Sequence, residues 1–223
     1  MHQQINKKIF FYLFVFILLG TLNNKNLAKL EFPKVNKIEV SGLDKENDID
    51  ILKNLDFLKV KNILFLDHFK IEEVIDSNRL IESYSVFKIY PSSIEIRAKK
   101  TIFLANVSKD GKYFLFGSNG KLINTIEQNK ELPFIFGNFN SSEFFNLKLI
   151  IDKSNFSFFN IKNLFFFPSG RWDIETNSGI LIKLPKNNLK EAFDLSLDML
   201  DNVNDKNIKM IDVRMQKQVV INE

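Results

Sequence analysis

Hydrophobic and polar positions change rhythm several times along the chain, and each change predicts an element. Val35, Ile38 and Val40 sit among polar residues and stop at Ser41-Gly42, a strand closed by a residue free to take positive φ. Ile49, Leu52, Leu55 and Phe57 then recur at helical spacing, with Asp44 or Asp48 placed to cap the helix. Asn62-Ile-Leu-Phe-Leu66 reads as a short extended piece. Asp67 follows as the cap of a second helix whose buried stripe would be Phe69, Ile71, Val74, Ile75 and Leu80. Ser83 to Ile89 and Ser93 to Ala98 alternate on either side of a Tyr90-Pro91-Ser92 turn. Residues 33–101 thus predict a β-α-α-β-β unit.

Beyond Thr101 the helical rhythm gives way to turn dipeptides, Asp110-Gly111, Asn119-Gly120 and Asn177-Ser-Gly179, so residues 102–223 predict a mostly antiparallel β module. Lys112 to Phe116 faces Lys121 to Ile123 across one turn, and Trp172 to Thr176 faces Ile180 to Leu184 across another. One helix is expected late. Asn188 and Glu191 have capping-box spacing, and Leu189, Ala192, Phe193, Leu197 and Leu200 form an apolar face opposite Lys190, Glu191, Asp194, Asp198 and Asp201. That helix either covers the sheet or offers a groove to a partner helix. Lys209 to Arg214 and Gln218 to Ile221 read as closing strands. The fold class is therefore α+β.

Ile9 to Leu22 runs without a charge behind Lys7 and Lys8, which marks an export or anchoring segment. Its fourteen residues rise about 21 Å as a helix, against a hydrocarbon core of about 30 Å. That length suits a signal-peptide core. Against cleavage, Asn26-Leu27-Ala28 is a poor small-x-small site, and Lys7 can snorkel while Leu27 and Ala28 extend the apolar length. The favoured arrangement is residues 1–8 in the cytoplasm, a transmembrane anchor at 9–28 and the bulk outside. The alternative is a secreted soluble periplasmic binding protein with a cleaved signal.

Composition narrows the chemistry. The 31 basic and 27 acidic residues are spread along 223 positions, leaving no dense basic block for phosphate, so no nucleic-acid partner is expected. With no cysteine there is no disulfide, thiolate nucleophile or Cys-ligated metal. The two histidines, His2 and His68, belong to no metal or catalytic motif, and no Walker-type glycine loop or Gly-x-Ser-x-Gly occurs. Paired carboxylates such as Glu72-Glu73 read as a solvated helix face. The expectation is a protein that is not an enzyme, with no cofactor, no metal and no small-molecule substrate.

Three stretches carry a family resemblance. Val40-Ser-Gly42, Asn62-Ile-Leu-Phe-Leu-Asp67 and Phe87-Lys-Ile-Tyr-Pro91-Ser-Ser-Ile-Glu-Ile-Arg97 together resemble the POTRA domain of the FtsQ/DivIB cell-division family. Tyr113 to Ile123, Leu132-Pro-Phe-Ile-Phe-Gly137, Arg171-Trp172 and Ile211-Asp-Val-Arg214 resemble stretches of that family's second domain. The chain departs from the pattern at Gly117, where an Asp is usual, and at Thr101, where a Pro is usual. The resemblance implies a single-pass inner-membrane scaffold at the division septum, with its periplasmic part binding bitopic partners resembling FtsB and FtsL and linking early to late division proteins. It also implies a partner-binding set of Ile211, Asp212, Val213, Arg214 and Met215, with Arg171 and Trp172. An open edge at Ile211 to Arg214 would serve that role because unpaired N–H and C=O groups accept an added strand. The same strand could instead simply close the sheet.

Overall fold

The computed structural model describes residues 7–22, 33–202, 208–215 and 219–222. The N-terminal run forms helix α1, Lys7–Leu22, whose side chains from Ile9 to Leu19 stand almost entirely exposed. Among the described residues, no helix is long and apolar enough to cross a membrane. The expected extension of the anchor through residue 28 lies outside the described residues.

The first module is a three-stranded sheet under two helices. Strand β1 (Lys37–Ser41) lies parallel to β3 (Ser93–Lys100), and β2 (Ile81–Ile89) pairs antiparallel on the other side of β3, giving the order β1-β3-β2. Gly42 ends β1 at φ +110, where a Cβ would stand 1.8 Å from the Ala98 carbonyl oxygen; only glycine allows this approach. Helix α2 (Lys45–Asn54) starts after Asp44, and α3 (His68–Ser77) starts where the Asp67 carboxylate accepts the Phe69 amide at 3.1 Å. Ile51, Leu55, Leu58, Ile71 and Ile75 close over Ile94 and Ile96. Three details depart from the sequence pattern. Residues Ile63–Phe65 form a 3-10 turn rather than an extended piece, Ile51 is buried in place of Ile49, and Phe69 points outward. A helix buries only the stripe its partner reaches, and three turns over a three-stranded sheet reach a narrow one.

The second module is a nine-stranded mixed sheet. Its strands are β4 (Phe103–Lys109), β5 (Lys112–Gly117), β6 (Leu122–Thr125), β7 (Phe134–Phe136), β8 (Ile161–Phe166), β9 (Trp172–Thr176), β10 (Leu181–Lys183), β11 (Met210–Asp212) and β12 (Val220–Asn222). The order is β12-β11-β10-β9-β8-β7-β4-β5-β6. Antiparallel pairs predominate, but β4–β7, β7–β8 and β10–β11 are parallel. Two helices, α4 (Ser141–Asp152) and α5 (Leu189–Asn202), share one core with a single sheet face.

Helix α4 corrects the reading of the stretch between Thr101 and the late helix as strands and turns alone. Its start is well marked, since Asn140 and Glu143 form a reciprocal capping box and Phe144, Leu147 and Ile151 are buried. Partly buried Phe145 and Ile150 add apolar positions beside that stripe and blur its period. The capping box expected at Asn188 is absent: Asn188 sits at φ +54, whereas a helix cap takes the extended region, and only its carbonyl, which accepts the Ala192 amide, joins the first turn. The apolar face of α5 does lie on the sheet, with Phe193 fully buried.

The two modules are joined by polar groups around the β5–β6 turn. The Asn119 amide donates to the carbonyls of Arg79 and Ile81 at 2.9 and 2.8 Å, Lys121 Nζ donates to the Asp76 carbonyl, and Arg79 donates to the Leu122 carbonyl. Gly117 and Thr101, the two departures from the family pattern, meet here. A Cβ on residue 117 would lie 2.6 Å from Thr101 Oγ1 and 2.7 Å from Asn119 Oδ1, both already engaged in hydrogen bonds. Gly117→Asp is therefore expected to destabilise the chain by about 1–3 kcal/mol, read as a lower midpoint in urea unfolding. An unchanged midpoint would show that the junction can widen at no cost.

Candidate partner-binding site

Cross-strand register arranges the C-terminal end of the sheet into rows. On the helix-covered face Ile135, Leu164, Ile174, Ile182, Ile211 and Ile221 are successive register partners from β7 to β12. The first five are buried, while Ile221 on the outermost strand is 39% exposed. The apolar row thus runs out at an unfinished edge. On the opposite face the row reads Phe136, Phe165, Asp173, Lys183, Asp212 and Val220. It begins with stacked rings, Phe136 on Phe165 at 5.2 Å, and passes into alternating charges.

The sequence-derived residues divide by burial. Ile211 and Val213 are in the core, and the Val213 amide donates to the Lys183 carbonyl at 3.1 Å. Trp172 is also buried, its ring against Phe166 at 4.7 Å and Phe139 at 5.9 Å, so it supports the neighbouring surface from beneath. Arg214 and Met215 are exposed, and Arg171 is partly so. The expected open edge at 211–214 is corrected by the pairing: β11 has β10 on one side and β12 on the other, so the free edge belongs to Val220–Asn222.

Charges converge on β9 to β11, on the face away from the helices. Arg214 Nε donates to Asp212 Oδ1 at 2.8 Å, which holds the Asp212 carboxyl below its ordinary pKa and raises that of Arg214. Arg171 Nε faces Asp173 Oδ1 at 3.6 Å, and among the described residues neither atom has a hydrogen bond. Burial pushes the Asp173 carboxyl up, against the pull of Arg171, Arg214 and Lys183. Arg171, Arg214 and Lys183 thus stand around Asp173 and Asp212. Beside Arg214, a cleft of about 520 Å³ opens between the start of α5 and residues 213–215, lined by Lys186, Asn188, Glu191 and Met215 among others. No group of three His, Cys, Asp or Glu side chains that could hold a metal occurs among the described residues. Lys183 and Asp173 were not legible as site residues, because only register brings them next to Asp212.

Residues 34–99 match the model of the FtsQ-type POTRA domain, and residues 105–214 match the C-terminal domain of the cell-division protein FtsQ/DivIB. The chain belongs to the FtsQ/DivIB family. It is similar to the cell-division protein FtsQ of Rhizobium meliloti, 23% identical over 84% of this chain and 62% of that one, and to FtsQ of Rickettsia bellii, 26% identical over 84% and 72%. FtsQ of Agrobacterium fabrum is 22% identical over 84% of this chain. The chain spans about 60% of the length of the two rhizobial relatives. The family match fits a mixed α+β fold with a POTRA module and a role in cell division. Strand β12 lies beyond the matched residues.

Proposed function

We propose that this family member is a non-enzymatic scaffold of septum formation, held in the inner membrane by α1, with residues 1–8 cytoplasmic and both modules periplasmic. Its β module captures bitopic division proteins, partners of the FtsB and FtsL kind, and so ties early to late components of the machinery. The observation that carries this reading is the free edge of β12, where the helix-side apolar row stops at Ile221, while Asp212, paired with Arg214, faces the other side of the neighbouring strand β11. A partner strand that continues the sheet would bond to the free backbone groups of β12 and place an apolar side chain against Ile221. The exposed apolar surface of α1 supports anchoring, since among the described residues its side chains stand open and need another apolar phase.

The test is co-purification of the full chain from detergent-solubilised cells, with mass spectrometry of what accompanies it. Small single-pass proteins with strand-forming segments are the expected companions. Recovery of the chain alone, in the soluble fraction and with a mature N-terminus near Lys29, would overturn the reading.

A further inference from the structure

The first module carries an apolar patch that its own fold leaves outside. Between residues 58 and 71, Leu58, Ile63, Leu66 and Ile71 point into the core, while Val60, Leu64, Phe65 and Phe69 are 70%, 43%, 75% and 82% exposed. An ordinary surface turn would be polar on its outer side; here both sides are apolar, and four large side chains exposed within ten residues mark an interaction site rather than scattered surface.

Its position is fixed by backbone. Val35 donates to the Lys61 carbonyl at 3.0 Å, Ile63 donates to the Pro33 carbonyl at 3.3 Å, and Lys34 bridges Asn62. The patch therefore sits where the chain enters the module from α1. Residues 23–32 separate Leu22 from Pro33, and those eleven steps span at most about 40 Å. If α1 is anchored in a bilayer, Pro33, where the patch meets the incoming chain, cannot lie farther than that from the end of α1. The charge that favours an anionic surface lies in the chain entering the module. Around the patch Lys59 pairs with Asp56 and Lys70 with Asp67, and Glu72 and Glu73 follow on α3, whereas residues 25–37 carry Lys25, Lys29, Lys34 and Lys37 against Glu31. Phenylalanine with flanking lysine is the composition that lies in the headgroup region of anionic bilayers.

We infer that Val60, Leu64, Phe65 and Phe69 rest on the surface of the anionic phospholipid bilayer that holds α1, fixing the first module's orientation to the membrane. This rests on the anchoring role proposed for α1. A second copy of the chain or a protein partner is the competing occupant, and the test separates them.

The chain has no cysteine, so Phe69→Cys gives a single site for an environment-sensitive fluorophore, with Lys130→Cys, on the exposed loop before β7, as the reference. The labelled full chain is reconstituted into vesicles of phosphatidylcholine with one quarter phosphatidylglycerol, with and without a headgroup-level lipid quencher. Position 69 is expected to lose most of its emission to the quencher and position 130 little, independently of the ratio of protein to lipid, with the loss reduced by high salt. Vesicles that float with the chain while position 69 remains unquenched would overturn the lipid contact and leave the anchor standing. Protection of position 69 only at high protein-to-lipid ratio would assign the patch to a second copy instead. A chain that does not float with the vesicles would sink both readings. Val60→Asp in the labelled chain separates contact from misplacement of the probe: it is expected to weaken quenching at position 69 without altering the circular dichroism spectrum.

Discussion

A chain ending at Met215 is expected to lose at least about 100-fold in affinity for its strand-forming partner, equivalent to about 2.7 kcal/mol, while its folded part melts close to the full chain. The truncation removes β12, and with it Ile221, where the helix-side apolar row ends, and the backbone groups of the free edge. Little folding stability goes with it, since Val220 and Ile221 are 50% and 39% exposed and, among the described residues, β12 pairs only with β11. Affinity is measured by titration of the purified partner, and folding by the thermal midpoint. Undiminished binding would show that the partner docks elsewhere, with the outer edge of β11 as the next candidate. Loss of binding together with loss of folding would show β12 to be a structural strand, and would sink its assignment as a docking edge.

Phe144→Ala is expected to destabilise the β module by about 3–5 kcal/mol, lowering its thermal midpoint by roughly 10–20 °C. Phe144 is fully buried, and its ring packs edge-on to Phe116 at 4.9 Å and to Phe158 at 6.2 Å, with Phe139 and Phe145 also in ring contact. Truncation leaves a cavity that rings fixed by a sheet and a helix cannot collapse into. The consequence reaches the candidate site, because Phe139 touches both Phe144 and Trp172, and Trp172 is the chain neighbour of Arg171 and Asp173. A shift of only a few degrees would mean that the aromatic cluster repacks, and would remove α4 as a determinant of the module's stability.

Local chemistry was legible in advance where a few adjacent residues decide it. Asp110-Gly111 forms a two-residue hairpin with both residues at positive φ, 53° and 73°, as its sequence requires. Asp67 caps α3, and Ile174 faces Ile182 across the late hairpin. Helix α4 was missed although Asn140 and Glu143 announce it, because phenylalanines at 144 and 145 and apolar residues at 149, 150 and 151 break the single-stripe pattern. Burial divides the sequence-derived site residues: Ile211, Val213 and Trp172 are core residues, Arg214 and Met215 are exposed and Arg171 is partly so, a division that no local pattern announces.

The sequence by itself determined the division into an apolar N-terminal helix, a β-α-α-β-β unit and a sheet-rich second unit, together with the hairpins, because hydrophobic period and turn chemistry are properties of neighbours in the chain. Tertiary structure alone decided the strand order, the parallel pairing of β7 between β4 and β8, and which strand stands at the free edge. Those choices bring together residues far apart in the chain, and an alternating strand reads the same whether its neighbour lies before or after it, parallel or antiparallel. The placement of Lys183 between Asp173 and Asp212, and of Ile221 at the end of an unfinished apolar row, follows from that register and from nothing local.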